Sequence, residues 1–194
     1  IETITLGDAA TTVTTVNGLV ASGQTLTVDG GALSSSNALA FDGSAELDGA
    51  FSITGGAGAD AIIGGSQGDT ILGGTGNDTI TAGPGADSID GGANDDKIVL
   101  AGNLTSADTI VGGAGSDTLT FTDNGTGSTD LNNVSGIETI TLGDAATTVT
   151  TLNTLVASGQ TLTVDGSVLG SSKALVFDGS AELDGKFSIT GGVG

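Results

Sequence analysis

The sequence predicts an all-β chain wound into a parallel solenoid, and three observations carry that prediction. Apolar residues, mostly Ile, recur every nine positions through the middle of the chain. Short β-rich runs flank that stretch on both sides, and no segment has helical periodicity of useful length. A nine-residue spacing belongs to neither a helix nor a single strand, so it points to a coil that returns on itself.

Residues 1–54 supply the first coils. IETITLG, TTVTTV, TLTVDG, ALAFDG and AFSITGG are alternating or β-rich, and Gly, Asp, Asn and Ser separate them. Each reads as a short strand that stacks Thr, Val, Ile or Leu inside a coil. VTTVNGLVAS comes nearest to a helix, but it is threonine-rich and Gly18 interrupts it. Its second copy, VTTLNTLVAS, has room for a turn or two of helix.

Residues 55–120 hold the nine-residue repeat itself. The units are GGAGADAII (55–63), GGSQGDTIL (64–72), GGTGNDTIT (73–81), AGPGADSID (82–90), GGANDDKIV (91–99) and, after an interruption, GGAGSDTLT (112–120). Position six is Asp60, Asp69, Asp78, Asp87, Asp96 and Asp117; position eight is Ile62, Ile71, Ile80, Ile89, Ile98 and Leu119. Ile53 extends the apolar series one step back. The interruption is an insertion at 100–102 followed by NLTSAD (103–108), which keeps Asp108 and Ile110 and lacks every glycine. A complete site is not expected at Asp108, and the insertion should distort the pairing across it.

Residues 121–136 read as a connecting coil. IETITLGDAATTVTT then returns at Ile137, 136 residues after Ile1. Segments 1–58 and 137–194 differ at nine positions, among them Val16 against Leu152 and Ala50 against Lys186. The sequence is therefore one 136-residue tandem unit followed by the first 58 residues of the next, and it reads as a window on a longer array.

Composition narrows the chemistry. Twenty-three acidic residues face Lys97, Lys173 and Lys186 alone, for a formal charge of −20. Nucleic acid and anionic membrane surfaces demand clustered basic side chains and are excluded as partners, and no apolar run is long enough for membrane insertion. Without Cys, His, Arg or Tyr there is no thiolate, no imidazole base and no bidentate anion clamp. A β-helical polysaccharide lyase or epimerase would need Arg, Lys, His or Tyr beside its metal, and no Lys occupies a position shared by both copies of the long repeat. The segment is expected not to be an enzyme. Carboxylates, hydroxyls and backbone carbonyls remain, a hard-oxygen set suited to Ca²⁺.

Physically, each unit gives a three-residue strand with its central side chain turned inward, and a six-residue turn with glycines where the backbone needs positive φ or close approach. Two units complete a coil of roughly 18 residues, and coils stack at ~4.8 Å. Asp60 should then lie over Asp78, Asp69 over Asp87, and Asp78 over Asp96. Asp78 and Asp87, adjacent in the repeat, should belong to opposite rows. A full tandem unit should hold about seven coils and span roughly 30–35 Å. At position four, Asn94 suits left-handed backbone, whereas Gln67 should weaken its turn.

These units resemble the RTX nonapeptide G-G-x-G-x-D-x-U-x, a calcium-binding parallel β-helix repeat. Three of them match at every defined position; the departures are Gln67, Asn94 and Ala82. The resemblance covers 55–120 and implies a right-handed parallel β-helix, or β-roll, with calcium-binding turns. It implies ions held between adjacent turns by Asp60, Asp69, Asp78, Asp87, Asp96 and Asp117. Backbone carbonyls would complete each site, from the turns containing Gly55, Gly56, Gly58, Gly64, Gly65, Gly73, Gly74, Gly76, Gly83, Gly85, Gly91, Gly92, Gly112, Gly113 and Gly115. Roughly three to five ions would fit such a stretch. Asp108 is a weaker candidate ligand. So are Asp42 and Asp48 in FDGSAELDG (41–49, repeated at 177–185), a cluster around Glu46 that reads as another calcium site, as a paired-carboxylate glycosidase centre without an aromatic sugar platform beyond Phe41 and Phe51, or as a solvated turn.

Flanking segments of this kind resemble those of RTX-bearing bacterial surface-layer proteins and giant adhesins. The resemblance implies an exported, extracellular, calcium-stabilised structural segment at the bacterial cell surface. It would leave the cell by type I secretion, fold on meeting calcium outside, and have copies of itself as partners, with any surface anchor elsewhere on the polypeptide. The extender region of a giant adhesin, and the RTX part of a secreted enzyme, are the alternative settings.

Overall fold

A computed structural model of the chain describes residues 2–122, 131–152 and 154–194, and among these it shows eighteen strands and no helix. The first tandem unit contributes β1 (Thr3–Thr5), β2 (Thr11–Thr14), β3 (Thr25–Asp29), β4 (Leu39–Asp42), β5 (Ala50–Gly56), β6 (Ala61–Ile63), β7 (Thr70–Thr75), β8 (Thr79–Thr81), β9 (Ser88–Ala93), β10 (Lys97–Ala101), β11 (Thr109–Ala114), β12 (Thr118–Phe121) and β13 (Val134–Ser135). The second copy contributes β14 (Thr139–Leu142), β15 (Thr147–Thr150), β16 (Thr161–Asp165), β17 (Leu175–Asp178) and β18 (Lys186–Thr190). Half of the connecting coil expected at 121–136, residues 123–130, lies outside the described residues.

Successive strands alternate between two faces. The odd strands β1 to β13 form one seven-stranded sheet; the even strands β2 to β14, continued by β16 and β18, form a nine-stranded sheet; β15 pairs with β17. Every pairing is parallel, as a solenoid of about nine turns requires. The 18-residue coil is explicit in the register. On one face Ile53 pairs with Ile71, Ile71 with Ile89, Ile89 with Ile110 and Ile110 with Val134. On the other, Phe41, Ile62, Ile80, Ile98, Leu119 and Ile140 stack in sequence. All are buried to 2% or less, because in each short strand only the central side chain points inward. Removing such a side chain from water stabilises the stack by about 2–3 kcal/mol.

Four expectations change. The strands β7, β9 and β11 run for six residues rather than three, because the glycine pair after each apolar residue stays in the parallel ladder, Gly56 with Gly74 and Gly92 with Gly113. VTTLNTLVAS forms no helix among its described residues; its β-branched start is β15, which pairs with β17. Gln67 does not adopt positive φ, so its turn takes another shape rather than a strained version of the same one, whereas Asn94 does sit at φ 82°. The insertion at 100–102 distorts pairing as expected, with a register shift between Val99 and Ala101 and Ala101 at φ 47°.

The fourth change concerns the unit. Its described residues contain thirteen strands, six and a half coils where about seven were expected. The second copy therefore begins on the opposite face. β1, β3 and β5 lie in the seven-stranded sheet, while their counterparts β14, β16 and β18 lie in the nine-stranded one.

Candidate metal centre

Each coil turns twice, and the position-six aspartates line both turns. Asp60, Asp78, Asp96 and Asp117 precede β6, β8, β10 and β12, on the edge where the chain passes from the seven- to the nine-stranded sheet. Asp69, Asp87 and Asp108 precede β7, β9 and β11 on the return edge. All seven side chains are buried.

One oxygen of each carboxylate ties coils together. Oδ1 of Asp78 accepts the Asp60 N–H at 2.7 Å, Oδ1 of Asp96 that of Asp78 at 2.8 Å, and Oδ1 of Asp117 that of Asp96 at 2.8 Å. On the return edge Oδ1 of Asp87 accepts the Asp69 N–H and Oδ1 of Asp108 that of Asp87, both at 2.8 Å. In return, the carbonyls of Asp60 and Asp78 accept the N–H groups of Thr79 and Lys97. The vertical pairing expected from the sequence is thus in place, and Asp108 joins it through its Oδ1. Its turn keeps the aspartate in the column despite losing every glycine, while its Oδ2 accepts from Thr105 within the turn.

The second oxygen is the informative one. Oδ2 of Asp60, Asp78, Asp87, Asp96 and Asp117 is buried with no hydrogen-bond partner. A buried carboxylate oxygen left unpaired is strongly unfavourable, so these atoms suit a cation ligand. Backbone oxygens stand beside them. Asp60 Oδ2 and the Gly73 carbonyl face one point at the Gly55 Cα, and Asp78 Oδ2 and the Gly91 carbonyl face the matching point at Gly73. Asp96 Oδ2 and the Gly112 carbonyl do the same at Gly91. A Cβ at any of these glycines would collide with both oxygens, which accounts for glycine at position one in every unit but the one that starts at Ala82. Gly64 stands in the same relation to Asp69 and Ala82, and Gly112 to Asp117 and Gly136.

The other glycines shape the turn. Gly56, Gly74, Gly83, Gly92 and Gly113 at position two have positive φ, and a Cβ on the last four would strike the position-two carbonyl of the coil below; Gly65 is the exception. Gly58, Gly76, Gly85 and Gly115 at position four stack likewise against position-four carbonyls or their counterparts, farther from the carboxylates.

Electrostatics agree with a cation site. Burial, assisted by the charges of Asp60 and Asp96, pushes the Asp78 carboxyl up to about 7. Burial also raises Asp69, Asp87 and Asp96 to about 6, and raises Asp60 and Asp117. Among the described residues no three acidic side chains converge on one point. The carboxylates arrive one per coil, so an ion here would draw much of its coordination from backbone carbonyls, as Ca²⁺ accepts.

Asp42 and Asp48 are not brought into the column. Asp42 accepts hydrogen bonds from Ser44 N–H and Oγ in a local turn, and Asp48 is exposed. Between them Glu46 is a buried staple: it accepts N–H bonds from Val20 at 3.0 Å and Asp48 at 3.1 Å, with longer ones from Gly18 and Gly49. Burial pushes its carboxyl up, yet these four donors together hold it below the usual range. Sequence reasoning missed Glu138, whose Oε2 accepts the Asp117 N–H at 2.8 Å and carries the column across the boundary between the copies. The signal was there, since IETIT at 137–141 aligns with NDTIT at 77–81.

A family model described as RTX calcium-binding nonapeptide repeat (4 copies) matches residues 52–71, 63–98 and 104–120. No curated protein and no solved structure matches the chain.

Proposed function

We propose, from the premise that residues 52–98 and 104–120 are RTX calcium-binding repeats, that this segment is a calcium-stiffened structural rod of an exported bacterial cell-surface protein. RTX repeats are typical of secreted bacterial proteins, which supports an extracellular setting. The observation that carries the reading is the column of buried carboxylate oxygens without protein partners, set into a duplicated solenoid unit. Bound calcium supplies the positive charge that makes this column compatible with a folded state. Where calcium is scarce, the stacked carboxylates repel one another and oppose folding, which suits passage through a type I secretion channel. Where calcium is millimolar, as for extracellular modules of ~10⁻⁴–10⁻³ M affinity, folding and binding proceed together.

The role is structural rather than catalytic, in a surface layer or extracellular filament, and the partner is a further copy of the same unit. What supports a further copy as partner is the tandem duplication itself: segments 1–58 and 137–194 differ at only nine positions, and β14 of the second copy pairs directly with β12 of the first. The test is far-UV circular dichroism and light scattering of the chain in calcium and in chelator. Loss of sheet signal in chelator and end-to-end association in calcium are expected. Unchanged dichroism would remove the calcium-dependent fold, and a strict monomer in calcium would remove self-assembly.

A further inference from the structure

The two edges of the solenoid are chemically unequal. On the edge of Asp60, Asp78, Asp96 and Asp117, every Oδ2 is buried and unpartnered. On the return edge, Oδ2 of Asp69 accepts the Gly65 N–H at 2.6 Å, and Oδ2 of Asp108 accepts the Thr105 N–H at 2.7 Å and its Oγ at 3.2 Å. Asp87, between them, keeps a free Oδ2. Both closed turns depart from the repeat, each in its own way. In GGSQGD, Gly65 lacks the positive φ of Gly56, Gly74, Gly92 and Gly113, and its N–H turns in toward the carboxylate. In NLTSAD, Thr105 supplies both donors.

We propose that calcium loads one edge only, in three intervals between consecutive open turns: Asp60 with Asp78, Asp78 with Asp96, and Asp96 with Asp117. The inference rests on the calcium reading above and specifies it. On the return edge the chain's own N–H groups occupy the carboxylates. A cation there would have to break a short charge-assisted hydrogen bond and face the positive end of the N–H dipole. Asp87 is open, but each of its two intervals has a closed partner, so it holds no ion of its own.

Calcium stoichiometry of the full chain, by equilibrium dialysis at saturating calcium, tests this. Asn in place of Asp keeps an oxygen to accept the neighbouring N–H and replaces the other with an amide nitrogen, which cannot bind a cation. The wild type should bind three ions. Asp78→Asn shares two intervals and should leave one, and Asp96→Asn should do the same. Asp69→Asn and Asp87→Asn should both leave three. Circular dichroism in excess calcium checks that each variant is folded, and the two variants on each edge keep the comparison usable if one is not. Loss of ions in Asp69→Asn or Asp87→Asn matching that in Asp78→Asn overturns the one-edged arrangement while leaving calcium binding intact. Absence of binding by the wild type overturns the calcium reading itself.

Discussion

Replacing Asp78 by Asn should change stability with opposite signs in the absence and presence of calcium. Without metal, the folded chain must bury an ionised carboxylate whose Oδ2 has no partner and whose neighbours above and below, Asp96 and Asp60, are also acidic. Its carboxyl rises from 3.8 to about 7, which corresponds to about 4 kcal/mol of opposition to folding near pH 8. Asn removes that opposition but leaves a buried N–H group in its place, costing about 1–3 kcal/mol. The net is a stabilisation of the metal-free chain by roughly 1–3 kcal/mol. With calcium about a hundredfold above its dissociation constant, each ion contributes about 2.7 kcal/mol. Two lost intervals then outweigh the gain, and Asn is destabilising by roughly 2–4 kcal/mol. Urea titrations near pH 8, in chelator and in saturating calcium, read both values from the shift in midpoint. If a metal-free variant chain is too unstable for a titration, its sheet signal should still exceed that of the wild type. The same sign under both conditions would refute the assignment of Oδ2 as a ligand.

The metal-free chain should gain sheet structure as pH falls from about 8 toward 5. The raised carboxyls bind protons more tightly folded than unfolded, so their opposition is complete above about 7 and is relieved toward 4; a flat dichroism profile in chelator would count against it. Gly74→Ala should lose about 3 kcal/mol or more, since a Cβ there meets the Gly56 backbone at φ 111°, whereas Gly23→Ala, open on all sides at φ 73°, should lose about 1 kcal/mol, both read by thermal unfolding in calcium. Glu46→Ala should destabilise by roughly 2–3 kcal/mol by thermal unfolding in calcium without lowering the number of ions bound, because its partners are N–H groups rather than a metal. The chain has no cysteine, so a Thr120→Cys and Thr141→Cys pair should cross-link on oxidation as neighbours on β12 and β14; failure to cross-link would refute the placement of the second copy on the nine-stranded face.

Much of the coil was written locally. The eighteen-residue return, the inward Ile series and the Asp60–Asp78–Asp96 column follow from a fixed period. A constant spacing with one apolar and one acidic residue per half-turn leaves a stacked parallel arrangement no other register. Asn94 at positive φ followed equally from its residue type. Glu138 was legible in principle from IETIT but hidden by the change from Asp to Glu. The thirteen-strand count was not legible. Residues 15–24 and 30–38 connect strands by turns of unequal length, and composition does not show which runs cross a face.

The sequence by itself thus determined the period, the ligand chemistry and the rows, because these depend on which residue stands at each step of a repeat. Only the tertiary structure decided which carboxylate oxygens remain free. That depends on whether the Gly65 or Thr105 N–H turns inward, a property of backbone dihedrals set by neighbouring coils. It also decided that the second copy begins on the opposite face from the first, since β14 stacks on β12 in the nine-stranded sheet while β1 lies in the seven-stranded one.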